Sequence, residues 1–130
     1  MIEWTRLLRR AETIDALFEV APDLANFSLM EVCLVKEDDA CLLRGTLSEF
    51  ADFPLPIWEK DANRVGIRLW LEDLEEFEIK GWDFENIIDL KISLDRQTGA
   101  IHVVGGGEDI EFRGVCGALH VENVYAYYSD

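Results

Sequence analysis

The chain has 130 residues, 27 of them acidic and 12 basic, for a formal net charge of −15 at pH 7. It is still 49% hydrophobic, with four Trp, seven Phe and three Tyr, which excludes the disordered acidic class that lacks such residues. The length fits one domain over residues 1–130, no apolar run is long enough for a membrane helix, and the charge has the wrong sign for direct nucleic-acid binding.

The start, Met1-Ile2-Glu3-Trp4-Thr5-Arg6, lacks an apolar stretch after a basic opening, so no secretory signal is expected. Leu7, Leu8, Ala11, Ile14, Leu17 and Phe18 then recur at helical spacing and predict an amphipathic helix over Thr5–Phe18. Thr5 is the expected N-cap, and Pro22 lies beyond the end. From Ser28 the period changes to two. Met30, Val32 and Leu34 alternate with Glu31, Cys33 and Val35, Glu37-Asp38-Asp39 turns, and Cys41–Leu47 returns as a second strand. Phe53-Pro54-Leu55-Pro56-Ile57-Trp58 reads as an extended loop.

Val65, Ile67, Leu69 and Leu71 form the inward face of a third strand, with Arg68, Trp70 and Glu72 facing out. A turn near Asp73 leads to a fourth strand, with Phe77 and Ile79 facing in. Gly81–Glu85 is a loop. Ile88, Leu90, Ile92 and Leu94 mark a fifth strand. Asp95-Arg96-Gln97-Thr98-Gly99 is a hairpin turn with Gly99 at the left-handed position, and Ile101 and Val103 answer it. Gly105-Gly106-Gly107 turns the chain again, before a short strand at Ile110 and Phe112. The last strand runs from Leu119 to Tyr128, and its slipped alternation near Glu122-Asn123 predicts a bulge. The expected fold is therefore α+β: an N-terminal helix packed on a large, mostly antiparallel, strongly bent meandering sheet of about eight strands.

Catalytic and metal chemistry find little support. Cys33, Cys41 and Cys116 are an odd count without a signal, which suggests reduced thiols and a cytoplasmic location. His102 and His120 have no ligand spacing with the cysteines, so no zinc site or Cys–His nucleophile is expected. Gly105–Gly107 precedes Glu108 and Asp109, which would repel phosphate. The pairs Asp109/Glu111 and Glu76/Glu78 place carboxylates on one strand face, as a solvated surface does in an acid-rich chain. No cofactor and no enzymatic activity are expected.

Acids and aromatics together are more informative. Residues 72–89 hold eight acids opposed only by Lys80. Trp82 stands within that window, and Trp70 lies beside it on the polar side of its strand. Aromatic anchors ringed by carboxylates suit a basic protein surface. The candidate partner-binding face is Trp70, Glu72, Asp73, Glu75, Glu76, Glu78, Trp82, Asp83 and Glu85.

Several segments resemble the immunity protein 50 family of bacterial polymorphic toxin systems. They are the helix opened by Trp4, Pro22-Asp23-Leu24, Pro56-Ile57-Trp58, Arg64-Val65-Gly66-Ile67-Arg68-Leu69, Glu85-Asn86-Ile87-Ile88-Asp89-Leu90-Lys91-Ile92 and Val121-Glu122-Asn123-Val124-Tyr125-Ala126-Tyr127-Tyr128. The resemblance implies an α+β fold and a non-enzymatic role, binding and neutralising a cognate toxin. A basic nuclease is one candidate for that toxin, with the acidic face occluding its active site or substrate groove. The alternative is a small ligand-binding domain or a regulatory adaptor with a basic protein partner. Oligomeric state is left open by the sequence.

Overall fold

The computed structural model describes residues 3–130. Met1 and Ile2, which open the segment read above as lacking a secretory signal, lie outside the described residues. Among the described residues six strands occur: β1 (Phe27–Val35), β2 (Ala40–Thr46), β3 (Arg64–Lys80), β4 (Asn86–Leu94), β5 (Ile101–Gly107) and β6 (Glu111–Tyr127). All pair antiparallel, in the order β1-β2-β3-β6-β5-β4, and β4 returns to β1 to close a barrel.

The expected helix packed on eight strands is thus overturned on both counts. The eight become six because two pairs of predicted strands are single 17-residue strands, β3 and β6. Each bends without breaking its pairing. In β3, Asp73 takes a left-handed φ of 53° and the register shifts between Leu74 and Glu76, leaving Glu75 as an extra residue. In β6, Glu122 is the extra residue, where a bulge was expected, opposite the step from Arg68 to Leu69. A bulge interrupts the two-residue period and so mimics a turn in the sequence. The glycines at 105–107, expected to be a turn, instead end β5. Gly105 lies directly opposite Phe112, whose ring occupies the space where a Cβ would stand. Aromatic cover over a glycine lets a small barrel turn sharply while the core stays filled.

The N-terminal segment is not a continuous helix. Trp4–Leu7 is a 3₁₀ turn, and α1 (Glu12–Leu17) is one short helix. Between them Leu8 bridges Leu119 of β6, and Arg9 N–H donates to the Leu119 carbonyl at 2.8 Å. Beyond Cys116 this edge of β6 has left β5, so its backbone needs another partner. Satisfying that edge interrupts the helix. Thr5 lies buried inside the 3₁₀ turn and makes no cap. The apolar stripe still does its work. Trp4, Leu8, Ile14, Leu17 and Phe18 are buried in the same core as Val65, Ile67, Leu69, Leu71, Val103 and Leu119. Trp4 Nε1 also donates to the Pro22 carbonyl at 2.9 Å.

Candidate functional site

The seam that closes the barrel is short. β1 meets β4 at Phe27, Ser28 and Leu29 alone. Beyond Leu29 the β4-facing edge of β1 has no strand partner among the described residues, although its other edge stays on β2 up to Val35. β3 behaves alike. β2 covers it from Gly66 to Leu71, after which only the β6 side is paired. Asp39, left-handed at φ 47°, ties the two strands at this point, its carbonyl accepting the Leu74 N–H at 2.8 Å.

Inner-face residues that should be covered are therefore open. Leu34 pairs with the fully buried Cys41 yet is 60% exposed, and Ile79 pairs with the buried Phe112 yet is 41% exposed. Met30, expected to alternate regularly with Glu31, is the extra residue of a bulge between Leu29 and Glu31 and is exposed. Met30, Glu31, Val32 and Leu34 on one side and Phe77, Ile79 and Trp82 on the other line a groove of about 480 Å³. The apolar half of this site was missed in the sequence. Its residues were read as core, and no local pattern reveals that a neighbouring strand stops short.

The predicted acidic residues divide at the Asp73 kink. Glu75, Glu76 and Glu78 on distal β3 continue into the loop carrying Trp82, Asp83 and Glu85, and all are exposed. Trp70 and Glu72 precede the kink. Trp70 is half-buried, and Glu72 is tied to the N-terminal segment by an ion pair with Arg9 at 3.1 Å. Trp70 and Glu78 are eight residues apart along the strand, roughly 26 Å at an ordinary strand rise. Of the predicted residues only Trp82 lines the groove; Glu75, Glu76, Glu78, Asp83 and Glu85 are its neighbours along the chain, Asp73 stands at the hinge, and Trp70 and Glu72 are set apart.

Ion pairs engage five of the acids among the described residues. Two of these pairs lie on the outer barrel wall. Arg44 pairs with Glu31 at 2.9 Å, and Arg68 with Glu122 at 2.8 Å. The Arg44 pKa is raised by its hydrogen bond to Tyr125 and then by that to Glu31, and the Glu122 carboxyl is held below its usual range chiefly by Arg68. On the distal ribbon Arg113 is shared between Glu76 at 3.1 Å and Glu78 at 3.6 Å. Among the described residues no ion pair holds Asp73, Glu75, Asp83 or Glu85.

The loop itself is held in shape by buried Asn86. Asn86 Oδ1 accepts the Asp83 N–H at 2.8 Å, and its Nδ2 donates to the Asp83 carbonyl at 3.0 Å. Asp83 Oδ1 accepts the Phe84 N–H at 2.7 Å. The β5–β6 turn adds acids that the sequence reading had set aside as solvated. Asp109 shares a hydrogen bond with Asp83, which raises its pKa above the carboxylate range, helped by desolvation and by repulsion from Asp83 and Glu108. Two carboxyls brought this close mark locally uncompensated negative charge.

No group of three or more His, Cys, Asp or Glu among the described residues is arranged to hold a metal ion. Cys116 faces inward and is fully buried, whereas His120 lies on the other face opposite Trp70. No helix of the described residues is long and apolar enough to cross a membrane. A larger groove, about 710 Å³, lies between the N-terminal segment and β4, lined by Trp4, Leu7, Leu24, Leu90, Ile92 and Leu94 with Arg96 at its rim. Neither Trp70 nor Tyr125 lines this groove. Tyr125 instead stacks on Tyr127 with ring centroids 6.0 Å apart. Comparison of the chain with protein-family models, with curated proteins and with solved structures finds no match.

Proposed function

We propose that the protein is a binding module that captures and neutralises a cognate toxin, presenting the open, acidic end of its barrel to a basic surface. The observation that carries this reading is an exposed apolar groove edged by Trp82, with Asp83 and Glu85 following Trp82 in the chain and Asp73 and Glu75 on the strand that supplies Phe77 and Ile79, all four free of ion pairs. Apolar anchors give such a contact its residence time, and uncompensated carboxylates steer the encounter. Against a basic nuclease, these carboxylates would stand where phosphates otherwise lie and so occlude the substrate groove.

The test is growth rescue by co-expression with the toxin domain encoded beside this gene. Restored growth together with a stable stoichiometric complex supports the reading. Continued arrest with both proteins folded and expressed removes that toxin as the partner. The groove beside Trp4 favours a second reading, a small-ligand domain, because its volume suits a small molecule and its walls are apolar. Native mass spectrometry of the purified protein decides this: a bound species lost on replacing Leu90 or Ile92 by a charged residue supports the ligand reading, and an unliganded mass counts against it.

A further inference from the structure

The open end of the barrel combines two features. One is the unpaired backbone of β1 beyond Leu29. The other is an inner face that continues past the barrel wall through Val32, Leu34, Phe77 and Ile79. An exposed strand edge is a template for another strand. The free stretch, residues 30–35, is roughly 20 Å long, enough for one strand of ordinary length.

We infer that this groove accepts an extended, lysine- or arginine-bearing segment of the partner as an added strand beside β1, with apolar side chains at alternate positions. The inference rests on the reading of this end of the barrel as the partner face. Main-chain hydrogen bonds to β1 would supply affinity that is independent of sequence. Alternation supplies the selection. Every second side chain would pack on Leu34, Ile79 and Phe77, and the intervening ones would meet the carboxylates that frame the groove. Glu31 lines it, paired with Arg44 at 2.9 Å, while Glu37 and Asp38 follow the end of β1 and Asp83 and Glu85 follow Trp82 in the chain, none of these four in an ion pair among the described residues. The same charges disfavour a second copy of this chain as the occupant. Pairing two β1 edges would bring like carboxylates together on molecules that each carry −15.

The test uses the whole protein and two short synthetic peptides, one alternating lysine with valine and the other lysine with serine. At physiological ionic strength the lysine–valine peptide is expected to bind one to one. The amides of residues 30–35 are expected to gain protection from hydrogen exchange. Affinity should fall at least tenfold for the lysine–serine peptide and for the Leu34→Glu, Ile79→Glu double variant. Both positions are solvent-exposed, so folding tolerates the change, and the exchange measurement needs no variant at all. Equal affinity for the two peptides, no binding of either, or no protection at 30–35 overturns the inference. Growth rescue separates it from the immunity reading. Full rescue by the folded double variant sinks the strand-accepting groove and leaves immunity standing. Peptide binding by a wild-type protein that fails to rescue leaves the groove standing and removes that toxin as the partner.

Discussion

Replacing Cys33 by serine while labelling the remaining thiols tests where the open mouth of the barrel ends. Cys33 is exposed on β1, whereas Cys41 and Cys116 are fully buried. Cys41 is the critical probe, because it lies directly across from Leu34, which is 60% exposed. Burial pushes the Cys41 thiol from its ordinary 9.0 up to about 12, with smaller contributions from Cys33 and Cys116. Cys116 is also pushed to about 12, again chiefly by burial, and the acids Asp73, Glu75 and Glu72 add to this. The thiolate is the reacting species. At pH 8 a thiol of pKa about 12 is ionised to about one part in 10⁴, against about one in ten at the ordinary value, so ionisation alone slows reaction about 10³-fold. With an aromatic disulfide reagent the wild-type protein should therefore release one equivalent rapidly and two slowly. Cys33→Ser should abolish the rapid phase and leave the slow one unchanged. A Cys41 that reacts as fast as Cys33 would refute the reasoning, because solvent would then pass Leu34 into the barrel and the groove would have no floor.

Four further outcomes follow from the same structure. The two buried thiols favour the protonated folded state, so their stabilising effect is intact below about pH 9 and is lost as pH rises towards about 12; thermal melts should be flat near neutrality and fall steeply above pH 9. Gly105→Ala forces the Phe112 ring and Ile88 to move and should cost about 1–3 kcal/mol in denaturant unfolding, with circular dichroism showing the sheet retained. Leu17→Ala, which removes a fully buried side chain of α1 from the core, should cost about 2–5 kcal/mol by the same measurement. Glu75→Lys, Glu78→Lys and Glu85→Lys together move the net charge from −15 to −9 at exposed positions; stopped-flow association with the toxin domain should slow about 10- to 100-fold and lose most of its salt dependence while the melting temperature changes little.

How much of this was legible depended on whether a local pattern decided it. Alternation placed Val65, Ile67, Leu69 and Leu71 on the inner face of β3 correctly, because their neighbours cover them on both sides. The Asp95–Gly99 turn was readable too. Gly99 adopts φ 79°, and the Asp95 N–H donates to the Ala100 carbonyl at 2.8 Å. Asp95 also accepts the Gln97 N–H, which lowers its pKa. What failed was non-local. The helix was interrupted at Leu8–Arg9 by the need of β6, over a hundred residues later, for an edge partner. The strand count failed at Asp73, where a bent strand and a turn carry the same signature, and between Phe112 and Leu119, where β6 runs on unbroken; the bulge at Glu122 was read correctly. In the site, Glu75–Glu85 were found by charge density. Ile79 was read as facing in and Leu34 only as part of an alternating strand, since the exposure of both is set by where β4 and β2 stop.

The barrel closes over three residue pairs between β1 and β4, whereas β3 and β6 share a ladder running from Arg64 to Lys80. The seam is therefore the line along which the native state unzips. A brief local opening there frees the β1–β2 hairpin from β4 while the β3–β6 ribbon stays intact, at a free energy well below that of global unfolding. Each such opening bares fresh strand edge flanked by core leucines, the kind of surface that seeds aggregation. At −15 per chain, two momentarily opened molecules repel before their edges can meet. The charge proposed to draw in a basic partner thus also keeps the protein from its own copies, letting a weak seam persist in a crowded solution.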